Sequence, residues 1–258
     1  MTKLFPKSQR EIYEKNPLVE VVCQLRFPKI LKIEGALPVE FQEKIRAEFP
    51  LYEKTGQNQL PFPVPEGLLP PSTITYNFAS IDKEYSVGLG SEFISLTTAR
   101  YVEWPIFESR FRTVLAAFES AYAPGVYTRV GLRYINAIQR KNLGLEGCAW
   151  SELFNKFVLG ELASPELEGS LAGMCQRAIR FDLGTNDSKL LFQHGLAQIG
   201  NDTELGYLLD FDYYKESITN VADAIATLQG FNSISGNAFR WCVTPKLKQA
   251  LAPFQSID

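Results

Sequence analysis

The sequence predicts an α+β fold made of two tandem β-α-β-β-β-α halves that share one core. Three observations carry that reading. Residues 18–27 alternate with period two, residues 104–122 carry an unbroken apolar stripe at helical spacing, and the order of patterns in 17–125 returns in 126–258. Two such halves make either a broad antiparallel sheet or a closed barrel, with helices packed on the outside in both cases.

Residues 1–16 are polar and charged and read as a mobile leader, ending at the turn dipeptide Asn16-Pro17. In 18–27, Val19, Val21, Cys23, Leu25 and Phe27 fall on one side of a strand, with Glu20, Gln24 and Arg26 on the other. Leu37, Phe41, Ile45 and Phe49 recur every four residues among charged neighbours. That spacing predicts a short amphipathic helix, with Pro38 in its first turn and Pro50 as its stop. Pro61, Pro63, Pro65, Pro70 and Pro71 make the stretch 60–71 an extended connection or a docking segment for a partner. Short strands are expected at 73–79, 84–89 and 92–98, with Asp82-Lys83 and Gly90-Ser91 at the turns. Trp104, Phe107, Phe111, Leu115, Phe118 and Tyr122 then line one face of a long helix that Pro105 opens and Pro124-Gly125 ends.

The second half opens with a strand at 127–138, followed by a short helix at 151–159 and a loop carrying Pro165 and Gly169. Longer strands are expected at 172–183, 189–199 and 206–215, and a mostly helical end at 218–251, with Gly230, Gly236 and Pro245 as points of break or kink. The leading strands of the two halves match locally, Leu25-Arg26-Phe27 against Leu132-Arg133-Tyr134.

Composition narrows the function classes. With 26 basic and 29 acidic side chains the net charge is −3, so no whole-molecule field draws in nucleic acid or an anionic membrane. No apolar run approaches a membrane span, and the start lacks a signal-peptide stretch, so a cytoplasmic chain without membrane contact is expected. Cys23, Cys148, Cys175 and Cys242 are widely spaced, without a Cys-x-x-Cys pair. They read as reduced, mostly buried thiols. The single histidine, His194, rules out a His-rich metal site, and no Gly-x-Ser-x-Gly elbow accompanies it, so it reads as a structural or surface residue. Gly88-Leu89-Gly90-Ser91 has neither the spacing of a dinucleotide fingerprint nor the Lys-Ser/Thr pair of a phosphate loop, and reads as a hairpin turn.

The candidate chemistry sits on strands. Asp210 and Asp212 are two apart and share a strand face, as a divalent cation or an acid/base pair requires, which makes them weak metal candidates. Arg26, Arg129 and Arg133 take the polar sides of their strands, and Arg180 shares a side with Asp182. If these arginines and aspartates meet on one face, an exposed face holds a lattice of weak ion pairs, and an enclosed one clamps phosphate or carboxylate groups. No catalytic residue is singled out and no cofactor is expected.

Asn16-Pro17-Leu18-Val19-Glu20, Leu25-Arg26-Phe27, the run Arg129-Val130-Gly131-Leu132-Arg133-Tyr134-Ile135-Asn136 and Leu209-Asp210-Phe211-Asp212 together form a set of signposts. With them the chain resembles a sporadically distributed family of uncharacterised bacterial proteins of about this length, over nearly its whole extent. The eight-residue run is the most specific element. The resemblance implies a bacterial or archaeal cytoplasmic origin and, through the family's patchy distribution, an accessory or defence-type role. It implies no reaction, cofactor or catalytic residue. Members carry a Leu-His pair in the last helical region where this chain has Leu228-Gln229, so a role for that histidine does not carry over.

Three function classes stay open. The leading expectation is a non-catalytic binding or protein-interaction module, with a protein partner or a homo-oligomer. The alternative is an enzyme or sensor that binds a small anionic ligand, a nucleotide or polyphosphate, on the Arg/Asp-lined face or in a tunnel. That layout resembles triphosphate-tunnel enzymes, whose first-strand glutamate and lysine signature is absent from Glu20-Val21-Val22-Cys23-Gln24. A nucleic-acid binder ranks last, because no basic cluster supports it.

Overall fold

The computed structural model describes residues 4–9, 11–55, 74–168, 173, 175–184, 187–200 and 204–254. The proline-rich stretch 60–71 lies outside them. In chain order the elements begin with β1 (Ile12–Tyr13), β2 (Leu18–Arg26), α1 (Leu31–Gly35), α2 (Val39–Ile45), β3 (Leu51–Thr55), β4 (Thr75–Ala79), β5 (Tyr85–Gly90), β6 (Phe93–Thr98) and α3 (Trp104–Tyr122). They continue with β7 (Val126–Tyr127), β8 (Arg129–Ile138), α4 (Arg140–Leu143), α5 (Trp150–Leu153), α6 (Lys156–Leu159) and α7 (Pro165–Glu168). The last are β9 (Cys175–Asp182), β10 (Ser188–Gln198), β11 (Leu205–Lys215), β12 (Thr219–Asn220), α8 (Ala224–Cys242), α9 (Pro245–Ala250) and β13 (Pro253–Phe254).

The fold is α+β around a large antiparallel sheet of nine strands in the order β3-β4-β5-β6-β2-β8-β11-β10-β9. Closing a barrel requires the two terminal strands to pair. Among the described residues β3 and β9 end the order on opposite sides and do not pair, so the sheet is not closed and the expected barrel alternative, with its tunnel, is not supported. Each leading strand, β2 or β8, lies beside the last strand of its own meander, β6 or β11, so the order reads alike from the centre outward.

Contacts divide the chain into two compact units. One comprises Glu20–Leu132 and Lys215–Leu228. Its core follows from the alternation of β2: Val21, Cys23 and Leu25 are fully buried and stand opposite Thr98, Leu96 and Ile94 of β6, which are buried too. The stripe on α3 covers this layer, with Phe27 and Phe118 at 4.7 Å between ring centroids. From α2, Phe41 packs edge-on against Phe78. Helix α3 has the predicted limits, with Pro105 in the first turn and Ala123 in the left-handed region at its end. Strand β3 was not anticipated. Leu51, Tyr52, Glu53 and Lys54 are exposed and of mixed character, and it is the pairing with β4 that makes Leu51–Thr55 a strand.

The other unit comprises Met1–Val19, Arg133–Tyr214 and Gln229–Asp258. Its core is aromatic: Trp150, Phe154 and Tyr207 cluster, Phe192 stacks on Phe211, and Tyr213 faces Phe231 of α8. The expected helix at 151–159 is interrupted at Phe154, which bridges to Val243, while the Asn155 amide donates to the carbonyl of Trp241. Helix α8 runs unbroken through Gly230 and Gly236. Two glycines cost about 1 kcal/mol each in a helix, and burial of Phe231, Ala238 and Phe239 offsets that cost. The leader carries β1, which pairs with β13, and its Phe5 is buried against Trp241.

Gly195 fixes the seat of β9. Its φ is +150°, and a Cβ built there would fall 2.0 Å from the Cys175 carbonyl oxygen. Only glycine lets the backbones approach so closely. Gly195→Ala is expected to destabilise the protein by about 2 kcal/mol or more, measured as a shift of the urea midpoint with unchanged slope.

Candidate functional site

Strand alternation places Arg133 of β8 and Asp210 of β11 on a common side. The Arg133 Nε donates to Asp210 Oδ1 at 2.8 Å and its Nη2 to Oδ2 at 2.6 Å, a two-point grip that fills the carboxylate. Asp210 is fully buried, while the Arg133 side chain keeps 19% of its surface. Burial pushes the Asp210 carboxyl up from its ordinary value, the Arg133 guanidinium pulls against that, and Asp212 adds to the rise. Asp212 lies two residues on, half-buried, on the same side of β11. The guanidinium fork facing Asp210 is already satisfied, so this pair is built as an internal clamp rather than as an open anion receptor.

The other arginines are placed elsewhere. The Thr128 N–H donates to the Arg26 carbonyl at 2.7 Å, which sets Arg129 across from Leu25. Arg129 therefore shares the side of Leu25 and Cys23, and its guanidinium folds over Gly131, where a Cβ would lie 2.2 Å from Nη1. Burial raises the Cys23 thiol pKa and the Arg129 charge opposes the rise. Arg26 projects to the opposite side of β2, exposed beside Phe93. Arg26 and Arg129 do not meet. Arg180 lies on β9, the sheet's last strand, exposed and in register with Leu191 of β10, away from Asp210. Asp182, two residues further, accepts from the Gly184 N–H at 2.7 Å.

His194 is buried at 2% exposure. Its Nδ1 shares a 2.9 Å hydrogen bond with the Tyr207 hydroxyl, and its ring stacks on Phe192 at 4.4 Å. Burial, helped by the Arg177 charge, lowers its pKa to about 4. Arg177 itself caps the carbonyls of Val158 and Leu159 and pairs with Glu161. All four cysteines are free thiols, with Cys23 and Cys242 buried and Cys148 and Cys175 half-buried. Among the described residues no group of three or more His, Cys, Asp or Glu side chains could hold a metal ion, and no helix is long and apolar enough to cross a membrane.

The outer edge of β9 is set by tertiary pairing. The Leu183 N–H donates to the Ser188 carbonyl at 2.9 Å, so Leu183 and every second residue before it turn their backbone groups toward β10. The residues between them, Gln176, Ala178, Arg180 and Asp182, turn their N–H and C=O away from the sheet, and all four are exposed. Among the described residues no strand pairs with that edge. The apolar row running from Phe211 to Phe192 continues to Ile179, in register with Phe192 and 43% exposed. A trace of this was legible in 175–182, where charges break the apolar pattern as they do on edge strands.

The chain matches no protein-family model and no curated protein.

Two outcomes follow from this geometry. Removing one partner of a buried pair strands the other charge, so Arg133→Met is expected to cost about 3–5 kcal/mol, and Arg133→Met with Asp210→Leu to recover most of that loss, in urea denaturation. The folded pKa of His194, about 4, lies below its ordinary 6.5. The unfolded chain therefore binds the proton first, and stability falls as pH drops from about 6.5 to about 4, by about 3 kcal/mol. His194→Gln is expected to flatten that part of the stability-versus-pH curve.

Proposed function

We propose that the chain is a binding module that takes up an extended segment of a protein along the β9 edge. One observation carries the reading: Gln176, Ala178, Arg180 and Asp182 are exposed and direct their backbone donors and acceptors outward along an edge strand of eight residues. An added strand gains its affinity from main-chain hydrogen bonds and its selectivity from alternate side chains. Here Ile179 offers an apolar contact on one side of the strand, and Arg180 and Asp182 offer charges on the other. The groups best suited to chemistry are in structural use, Arg133 on Asp210 and His194 on Tyr207, which supports binding over catalysis. The repeated element order, together with the strand order about β2 and β8, supports reading the halves as copies of one unit.

The test uses a proline on the edge. The Ala178 N–H points outward, so Ala178→Pro leaves the ladder with β10 intact while blocking an added strand. Beads carrying the wild-type chain and beads carrying Ala178→Pro are exposed to a cell lysate, and captured proteins are reconstituted for amide hydrogen exchange. Capture is expected to fall about tenfold or more with Ala178→Pro, and the amides of Gln176, Ala178, Arg180 and Asp182 to gain protection in the wild-type complex. Equal capture by both chains, or protection elsewhere with β9 unchanged, would overturn the reading.

A further inference from the structure

We infer that the strand received by the β9 edge is β9 of a second copy of this chain, paired antiparallel across a twofold axis at Ile179. The inference rests on the strand-addition reading and names its partner. Parity limits the registers: only residues with outward backbone groups can form hydrogen-bonded pairs, so Gln176, Ala178, Arg180 and Asp182 must face members of the same set. With the twofold at Ile179, Gln176 faces Asp182 of the other copy and Ala178 faces Arg180, each twice, for about eight backbone hydrogen bonds. The Gln176 amide then meets a carboxylate, and no two like charges stand directly opposite. On the other side of the strand Ile179 meets Ile179 as a non-hydrogen-bonded pair, where side chains come closest. That contact joins the Phe211–Phe192–Ile179 rows of both copies and covers a side chain left 43% exposed in one. Moving the axis to Ala178 would instead set Ile179 against Arg177, so apolar complementarity favours the first register.

The experiment reads both assembly and register. In a Cys175→Ser background, Ile179→Cys and Ala178→Cys are oxidised mildly and run on non-reducing gels, beside light scattering of the wild type from about 1 µM to about 1 mM. Residues paired about 4.5 Å apart between Cα atoms can form a disulfide, whereas a diagonal offset cannot. The Ile179→Cys chain is expected to link into dimers, the Ala178→Cys chain to stay largely unlinked, and the wild-type mass to approach twice the monomer's as concentration rises. Ala178→Pro is expected to hold the mass at the monomer. Linking by Ala178→Cys alone would overturn this register. A wild type that stays monomeric, with no linking, would overturn self-pairing. In that case β9 amides protected by a different captured protein leave strand addition standing, and β9 amides never protected remove both readings.

Discussion

In an antiparallel strand, side-chain direction and backbone hydrogen-bond direction alternate with the same period and are locked to each other. Most of what this molecule can do follows from that lock. On β2 it commits Val21, Cys23 and Leu25 to the layer under α3 and leaves Arg26 on the far side. On β8 it sends Arg129, Gly131 and Arg133 to one side together. On β9 it makes the residues whose backbone faces outward the same ones that point away from the side of Phe192 and His194.

Charge is handled by the same geometry. A carboxylate at Asp210 with no exposure would be costly alone, and the fork of Arg133 meets it at two points. Such a pair contributes little net stability compared with an apolar replacement, yet it penalises any slip of β8 against β11, because a one-residue shift would separate the two charges. His194 solves a related problem differently: it remains neutral, supported by Tyr207 and stacked on Phe192. Both groups are chemically able, and both are committed to holding the sheet.

An open sheet must end somewhere, and its ends are where unpaired backbone groups collect. Charges at Arg177, Arg180 and Asp182 make β9 a guarded edge, but Ile179 carries the apolar layer out to the rim. A guarded edge with an apolar centre discriminates among added strands more strongly than a wholly charged or wholly apolar one would, since a wrong register places charge against Ile179.

The sequence by itself determined the α+β class, the limits of α3 and the meander strands, because buried faces impose periods of 2 and 3.6 that survive in any arrangement. It also determined that Asp210 and Asp212 share a side of β11, a property of one strand. Beyond the meanders, it did not determine which strands become neighbours. That Arg133 meets Asp210, that Arg26 and Arg129 part, and that β9 ends the sheet among the described residues depend on pairing between segments distant in the chain. Short elements went the same way: Leu51–Thr55 became a strand through β4, and Gly230 and Gly236 stayed helical through the packing of Phe231 and Phe239. Periodicity reports whether a side chain is buried, whereas only tertiary contact decides what it is buried against.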